Sequence, residues 1–187
     1  MRRISGIKKV GHAGTLDPQA EGLLIVLVGK EYTKKSDEFL KLDKTYEFDI
    51  SLGENSTTGD VEGEKTTVSS IEPTKKQIEE ALKKFVGKIS QTPPQYSAIK
   101  IDGKRAYKSA REGQKVVIEP RNVNIYNLEL KDYKYPKVSL SADVSSGTYI
   151  RSLAEDIGKY LGTGAYCTKI VRTKIGDYNL KDAIKLD

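Results

Sequence analysis

Two stretches in which apolar and polar residues alternate constrain the fold of this chain more than any other feature. In one, every second residue from Tyr46 to Leu52 is apolar, and in the other the same period runs from Val138 to Val144. A period of two places the apolar side chains on one face of a strand, as in an antiparallel sheet with one buried face. The continuous apolar run Leu23–Val28, bounded by Gly22 and Gly29, predicts a further, buried strand.

Helical spacing is present in two further segments. Apolar residues recur at helical intervals from Ile150 to Leu161, so a helix is expected to begin near residues 148–149. A second helix is predicted after Thr74, which caps it, with Gln77 in the capping-box position and Gly87 as the residue that ends it.

The order of the elements favours an α+β fold. The acidic stretch from Glu54 to Ser70 predicts a loop or hairpin, and a short helix is predicted from about Lys104 to Glu112, closed by Gly113. Strands and helices do not follow a regular β–α–β rhythm, so we expect a mixed, largely antiparallel sheet flanked by helices. The length of 187 residues suits one domain, and residues 1–187 are predicted to form it.

The single cysteine, Cys167, and the single histidine, His12, exclude several kinds of site. The chain cannot form an internal disulfide bond, and a structural zinc site would lack its usual Cys and His ligands. A catalytic triad would have no G-x-S-x-G turn, and neither glycine-rich nucleotide-binding motif is present. Any catalytic chemistry must therefore use carboxylates, lysines, arginines or tyrosines, and no metal site is expected.

The apolar segments are too short for a membrane protein. The longest, Leu23–Val28, is far below the roughly 20 residues that cross a bilayer. The first six residues lead into no apolar signal core. We therefore expect a cytoplasmic protein that does not contact membranes.

The positive charge of the chain is concentrated in one segment. The formal net charge is +6, and residues 91–115 hold six cations against only Asp102 and Glu112. Basic segments interleaved with tyrosines suit a nucleic-acid backbone with bases that stack. Solvated lysine faces would have the same composition, and charge alone does not separate these two interpretations.

The most unusual segment lies between Gly11 and Leu23 and holds three glycines and one proline. These residues place Asp17 in a tightly specified loop directly before the apolar run. Spacing alone favours a structural role, in which Asp17 caps a single helical turn whose first residue is Pro18. A functional carboxylate is the alternative.

This segment, GHAGTLDPQAEG at residues 11–22, resembles the catalytic motif G-H-x-G-x-L-D-P-x-A-x-G of the TruB family of tRNA pseudouridine synthases. Four later segments resemble further motifs of the family, in the same order. They are DKTY at 43–46, PPQYSAIK at 93–100, GTYIRSL at 147–153 and IVRT at 170–173. Together the five matches extend over nearly the whole chain.

The resemblance implies a pseudouridine-synthase-like catalytic domain that isomerises a specific uridine in the T-loop of tRNA, without a cofactor or metal. Asp17 matches the family's essential aspartate, which would act as nucleophile at the base or at the sugar C1′, or assist departure of the uracilate. Arg151 matches the arginine that would keep a buried Asp17 ionised and oriented. Tyr46 matches the tyrosine that stacks on the flipped uracil. These three residues are the predicted catalytic group.

The resemblance also implies two groups of substrate-binding residues and a partner. The first group borders the predicted pocket: His12, Gly14, Thr15, Lys44, Tyr149, Ile170 and Arg172. The second belongs to a basic, RNA-gripping insertion at about residues 91–115: Lys100, Lys104, Arg105, Lys108 and Arg111. The implied partner is the T-arm of tRNA, bound by a monomer.

The chain departs from the family pattern in three places. Relatives usually begin with an extra strand and a Lys-Pro loop ahead of residues 2–4, and many continue beyond Asp187 into an RNA-binding PUA domain. Ile170 and Val171 also stand where the family has Leu and Arg. The expectation is either a short form of the enzyme or a chain whose true start lies upstream, with an RNA-binding relative that has lost catalysis as the alternative. A ribosomal-type structural protein would fit the charge but not the loop around Asp17.

Overall fold

The fold is an α+β arrangement, seen in a computed structural model that describes residues 1–97, 99–101, 104–105 and 117–185. The strands are β1 (Val10–Ala13), β2 (Ala20–Gly22), β3 (Ile25–Val28), β4 (Lys44–Leu52), β5 (Glu54–Ser56), β6 (Lys65–Thr67), β7 (Gly87–Gln91), β8 (Lys100–Ile101), β9 (Lys104–Arg105), β10 (Arg121–Lys134), β11 (Lys137–Val144), β12 (Ala165–Ile175) and β13 (Tyr178–Asn179). The helices are α1 (Arg2–Ser5), α2 (Lys30–Thr33), α3 (Ser36–Leu40), α4 (Lys75–Lys83) and α5 (Ile150–Leu161), followed by a 3₁₀ turn at Leu180–Asp182.

One seven-stranded sheet organises the described residues. Its order is β13-β12-β4-β11-β10-β7, and β2 pairs with β12 outside this path. The β2–β12 pair is parallel and the other pairs are antiparallel. The predicted mixed, largely antiparallel sheet is therefore confirmed. Three two-stranded sheets, β1–β3, β5–β6 and β8–β9, accompany it.

The core lies between one face of this sheet and the helices α4 and α5. Strand β4 buries Phe48, Ile50 and Leu52 on one face, as its alternation predicts. From α5, Leu153 and Ile157 are fully buried in the same cluster. Because α5 packs across β12 and β4, the start of the helix lies beside the strands that carry the predicted site.

The helix predictions are confirmed at α4 and α5 and wrong at Lys104. Helix α4 begins after Thr74 with the predicted capping box, in which the Gln77 N–H donates to Thr74 Oγ1 at 3.3 Å. It ends before Gly87, which has a φ of 102° and begins β7. Lys104 and Arg105 form a strand instead of a helix, because their backbone pairs with β8. The rest of that predicted helix, 106–112, lies outside the described residues.

Candidate active site

Two strands hold the loop that carries Asp17. Strand β1 leads into the loop, and β2 leaves it in parallel pairing with β12, with Gly22 opposite Arg172. Between them, the Ala20 N–H donates to the Asp17 carbonyl at 2.9 Å and closes a turn that contains Pro18. The chain continues from this turn as a strand and not as a helix. The turn expected at Pro18 is thus present as a single turn, with no helix after it for Asp17 to cap.

The buried side chain of Arg172 connects both ends of this loop to β12. Its Nε donates to the carbonyl of Leu23 at 2.8 Å, and its Nη2 donates to the carbonyl of Gly14 at 3.0 Å. The Leu23 N–H donates in turn to the Arg172 carbonyl at 2.8 Å, so Leu23 bonds to β12 and strand β3 begins only at Ile25. One arginine thus fixes the loop on both sides of Asp17.

Gly22 approaches β12 so closely that a side chain there would collide with backbone. Its φ is 104°, and a Cβ would lie 2.3 Å from the carbonyl oxygen of Arg172. We expect Gly22→Ala to lower the free energy of unfolding by more than the about 1–3 kcal/mol that a left-handed backbone alone costs. Urea unfolding measures this loss.

Gly29→Ala is the matched control for this substitution. Gly29 has a φ of 96°, and nothing lies within 4 Å of the position a Cβ would take. Gly29→Ala therefore has the cost of a positive φ for alanine but no collision of the Cβ with the backbone. Equal losses in the two variants would contradict a role for the close contact between Gly22 and β12.

A buried arginine approaches the Asp17 carboxylate from α5. The Arg151 side chain is only 4% exposed, and its Nε lies 2.8 Å from Asp17 Oδ2. The Nε–H is not aimed at this oxygen, so the contact is a close ion pair and not a hydrogen bond. Nη1 donates to the Thr58 carbonyl and Nη2 to the Tyr96 carbonyl, both at 2.9 Å. The guanidinium therefore has a fixed position that does not depend on Asp17.

The predicted burial of Asp17 is wrong. Its side chain is 41% exposed, because the loop lies at the surface and opens towards a cavity. Arg151 is the buried member of the pair. A buried guanidinium is stable only when nearby groups compensate its charge and accept its hydrogen bonds. The burial of Arg151 therefore depends on the acceptors and carboxylates around it.

Asp60 is a second carboxylate of the site, although no sequence motif marks it. It lies between β5 and β6, its side chain is 15% exposed, and its Oδ2 lies 3.3 Å from Nη1 of Arg151. The hydroxyl of Thr58 and the N–H of Glu62 donate to its Oδ1. Five acidic residues lie between positions 54 and 72, and no local sequence signal distinguishes this one. The predicted acidic hairpin is thus part of the site.

Asp17 opens onto a cavity of about 110 Å³. Tyr46, Tyr149 and Ile170 line it, and Thr15 and Arg172 complete its walls among the predicted residues. Two phenol rings and an aliphatic side chain give apolar walls, and the carboxylate and guanidinium supply a polar edge. Such a pocket suits a planar ring with polar groups on its rim.

Burial controls the ionisation of the two tyrosines. It raises the pKa of Tyr46, although the charge of Arg172 and a hydrogen bond with it partly offset this effect. Burial also raises the pKa of Tyr149, and the nearby Ser97 hydroxyl lowers it in part. Both hydroxyls are therefore protonated at neutral pH and can act as hydrogen-bond donors in the pocket.

Glu155, one helical turn after Arg151, adds a pH-dependent contribution to stability. Burial and the charge of Asp156 raise its pKa from 4.5 to about 7, and Arg151 lowers it in part. Since the folded state binds the proton more tightly than the unfolded state, stability falls as pH rises from about 4.5 to about 7. We expect Glu155→Gln to remove this loss, measured by urea unfolding across that interval. A variant with the parent's pH dependence would contradict the assignment.

The sequence matches a known family model over most of its length. The model described as TruB family pseudouridylate synthase (N terminal domain) matches residues 2–150. The chain belongs to the TruB family. The family predicted from the five motifs is confirmed.

Curated TruB relatives match the chain from end to end. The tRNA pseudouridine synthase B of Protochlamydia amoebophila is 44% identical over 184 residues, which cover 98% of this chain and 70% of the relative. The protein of the same name from Burkholderia lata is 47% identical over 186 residues, which cover 100% of this chain and 58% of the relative. The chain thus spans between 58% and 70% of the length of these two relatives.

Solved structures share the fold. A crystal structure of a Cbf5-Nop10-Gar1 complex matches with a TM-score of 0.71 and 28% identity, over 95% of this chain and 44% of that chain. A structure of an H/ACA RNP bound to a substrate RNA containing 2′-deoxyuridine matches with a TM-score of 0.68 and 25% identity. It covers 95% of this chain and 42% of that chain. The predicted pseudouridine-synthase-like fold is therefore confirmed.

Two other predicted substrate-binding residues of this TruB chain lie around the loop. Lys44 is buried, and its Nζ donates to the carbonyls of Leu40 and Leu42 at 2.7 Å and 2.6 Å. Burial lowers the pKa of Lys44, and the charge of Arg172 lowers it further. Lys44 thus holds the chain that leads into β4, whereas His12 is exposed on β1. RNA contacts by either residue stay predictions.

The basic insertion is described only in part. Lys108 and Arg111 lie outside the described residues, as do the side chains of Lys100, Lys104 and Arg105. Where the structure is described, no group of His, Cys, Asp and Glu side chains is arranged to hold a metal ion. Over those same residues, none of the helices has the length and apolar character needed to cross a membrane.

Proposed function

We propose that this chain isomerises a specific uridine in the T-loop of tRNA to pseudouridine, with Asp17 as the essential nucleophile. One observation carries the proposal: the half-exposed Asp17 carboxylate lies at a cavity lined by Tyr46, with Oδ2 2.8 Å from the buried Arg151 Nε. The names of the curated relatives support tRNA as the substrate. The substrate RNA bound in a structural neighbour supports RNA as the class of ligand.

The proposed reaction consumes no co-reactant because its atoms balance. The bond between uracil N1 and the sugar C1′ breaks, the detached ring turns, and C5 bonds to C1′. The proton on C5 is lost and N1 gains one. No oxidant, reductant or group donor is consumed, and we assign the chemistry to carboxylate, guanidinium and phenol groups.

Each site residue has a distinct role in this proposal. The carboxylate of Asp17 attacks the base or C1′, or assists departure of the uracilate. Arg151 holds that carboxylate in place while its Nη atoms remain bound to backbone carbonyls. Tyr46 stacks on the base, because a ring–base contact gains about 1–3 kcal/mol without depending on sequence. Arg172 fixes the loop that carries the nucleophile.

The T-arm of tRNA is the proposed partner, and a monomer of the chain is sufficient to bind it. The target base must leave its stack to reach Asp17, at a cost of a few kcal/mol. Binding energy from phosphate contacts can offset that cost. Residues 100–111 hold five cations within twelve positions, and we assign the phosphate contacts to this basic insertion.

Replacing Lys104, Arg105 and Lys108 together with alanine is expected to flatten the salt dependence of T-arm binding. Each lost phosphate contact removes about 0.7–0.9 from the slope of log K against log salt, so the triple variant loses roughly two to three units. Filter binding across a range of salt concentrations measures the slope.

Lys75, Lys76 and Lys83 provide a matched control for this triple substitution, because they are exposed lysines on α4. Their replacement by alanine removes the same charge from another face, and we expect it to leave the slope unchanged. Exposed substitutions of this kind usually stay within about 0.5 kcal/mol of stability each. Equal slopes in the two triple variants would place the RNA elsewhere.

Tritium release tests the proposed function directly. Uridine labelled at C5 loses its tritium when C5 bonds to C1′, so a tRNA transcript with labelled uridine should release label in the presence of the chain. A transcript with cytidine at the T-loop target should not release it. Binding of the T-arm without release would favour the alternative of an RNA-binding relative that has lost catalysis.

A further inference from the structure

Gln91, the last residue of β7, is a buried polar residue with a specific pairing. Its side chain is almost fully buried, as only 2% of the residue is exposed. The amide Nε2 donates to the carbonyl of Tyr149 at 3.1 Å, and Oε1 accepts a hydrogen bond from the Tyr149 N–H at 2.8 Å. One side-chain amide thus satisfies both backbone groups of one residue, as a neighbouring strand would.

Tyr149 is the residue at which α5 begins. It has an extended backbone, with a φ of −104°, and its own side chain makes no capping hydrogen bond. Gln91 therefore determines where the extended chain ends and the helix starts. Arg151 follows two residues later in the first turn, so the position of its side chain depends on that starting point.

The chain after Gln91 stays against the same helix turn. The Ser152 hydroxyl donates to the Thr92 carbonyl at 2.8 Å, and Arg151 Nη2 donates to the Tyr96 carbonyl at 2.9 Å. We name residues Gln91–Ser97 the clamp segment. Through these contacts the clamp segment holds the backbone of Tyr149, the hydroxyl of Ser152 and the guanidinium of Arg151.

We propose that Gln91 is a positioning residue for the isomerisation, a role that rests on the function proposed above. Its amide fixes the start of α5 and thereby places the Arg151 Nε beside the Asp17 carboxylate. Gln91 does not border the cavity at Asp17, so it acts through Arg151 and not on the substrate. A displacement of about 1 Å in such a contact can cost about a hundredfold in rate.

Gln91→Met removes both hydrogen bonds at nearly constant volume. We expect the single-turnover rate on saturating tRNA to fall about tenfold to a hundredfold, while the Kd for tRNA stays at the parent value. Leu82→Ala, a core substitution on α4 outside the clamp segment and the start of α5, controls for lost stability. An equal rate loss in Leu82→Ala and Gln91→Met, in variants that remain folded, would overturn the proposal.

Gln91→Glu tests the pairing itself. A protonated carboxyl offers one donor and one acceptor, as the amide does, whereas an ionised carboxylate only accepts. Burial raises the pKa of such a carboxyl, so protonation extends to higher pH than usual. The rate of this variant relative to the parent should be near one at low pH and fall as pH rises. A ratio that does not change with pH would contradict the two-point pairing.

A readout that needs no catalysis separates this proposal from the proposed function. The Nε–H of Arg151 gives its own ¹⁵N–¹H signal, and its burial should protect it from exchange. We expect Gln91→Met to shift this signal and speed its exchange, and Leu82→Ala to leave it unchanged. A folded Gln91→Met protein with the parent's signal would overturn the positioning role. Absence of tritium release by the parent would overturn the proposed function, and the Arg151 signal would still decide whether Gln91 positions that side chain.

Discussion

Asp17→Asn is expected to abolish tritium release from C5-labelled tRNA and to leave binding of the T-arm nearly unchanged. The amide keeps the shape of the side chain and removes the nucleophile, so a loss of about 10⁴-fold or more is expected, as for other enzymes that lose a nucleophile. Stability should change less than on loss of Arg151, because the buried guanidinium keeps the carboxylate of Asp60 and its two backbone carbonyls. Tritium release paired with a gel-shift assay measures both outcomes.

Asp17→Glu serves as the companion variant, since it keeps the charge and moves the carboxylate by one methylene. We expect it to bind RNA normally and to react slowly, because the loop is fixed on both sides by Arg172. Normal release of tritium by Asp17→Asn would show that the essential carboxylate is another residue. Asp60 would then be the next candidate, because its Oδ2 lies 3.3 Å from the same guanidinium.

Arg151→Met is expected to cost both activity and stability. Truncation leaves the carbonyls of Thr58 and Tyr96 and the carboxylate of Asp60 without their partner. Breaking a buried ion pair from one side costs about 3–5 kcal/mol, and Asp60, the carboxylate left behind with 15% exposure, brings the expected loss towards the lower end of that range. Urea unfolding measures the stability, and tritium release measures the activity.

Arg3→Met is the control for the loss of a guanidinium, because Arg3 is exposed on α1. It should unfold within about 0.5 kcal/mol of the parent. A further comparison uses the double variant with Asp17→Asn. If the two side chains act as one unit, the combined loss of activity should be far smaller than the product of the single losses. Full additivity, or an Arg151→Met protein that unfolds and reacts like the parent, would contradict the pairing.

The parts of the fold that the sequence predicted are those with an uninterrupted pattern. Strands β4 and β11 alternate without a break, and α5 keeps its helical spacing from Ile150 to Leu161. Strand β12 was not predicted, because bulges near Thr168 and Thr173 shift its register and break the alternation. Strand β10 carries two similar irregularities, near Tyr126 and Lys131, which hide its 14 residues from a search for period two.

In the site, too, some residues were predicted from motifs and others were missed. Asp17, Tyr46 and Arg151 lie together in the structure, and the family motifs had selected all three. Asp60 was missed because its partner Arg151 lies 91 residues away and no local pattern links them. Gln91 was missed for the same reason, since its amide pairs with a backbone 58 residues later. Contacts of this kind depend on the tertiary structure, and one sequence carries no local signal for them.

The parallel pairing of β2 with β12 has a consequence for synthesis on the ribosome. Within the described residues, β2 pairs with β12 alone, and Arg172 reaches back to Leu23 across 149 positions. The ribosome synthesises the N-terminal part of the chain first. The loop that carries Asp17 is therefore made early and stays without its strand partner β12 until that strand is made. Such long-range pairing is slow to form. The reactive pocket therefore takes shape only as the sheet closes, and translation that stops before β12 leaves a chain with the aspartate but no active site.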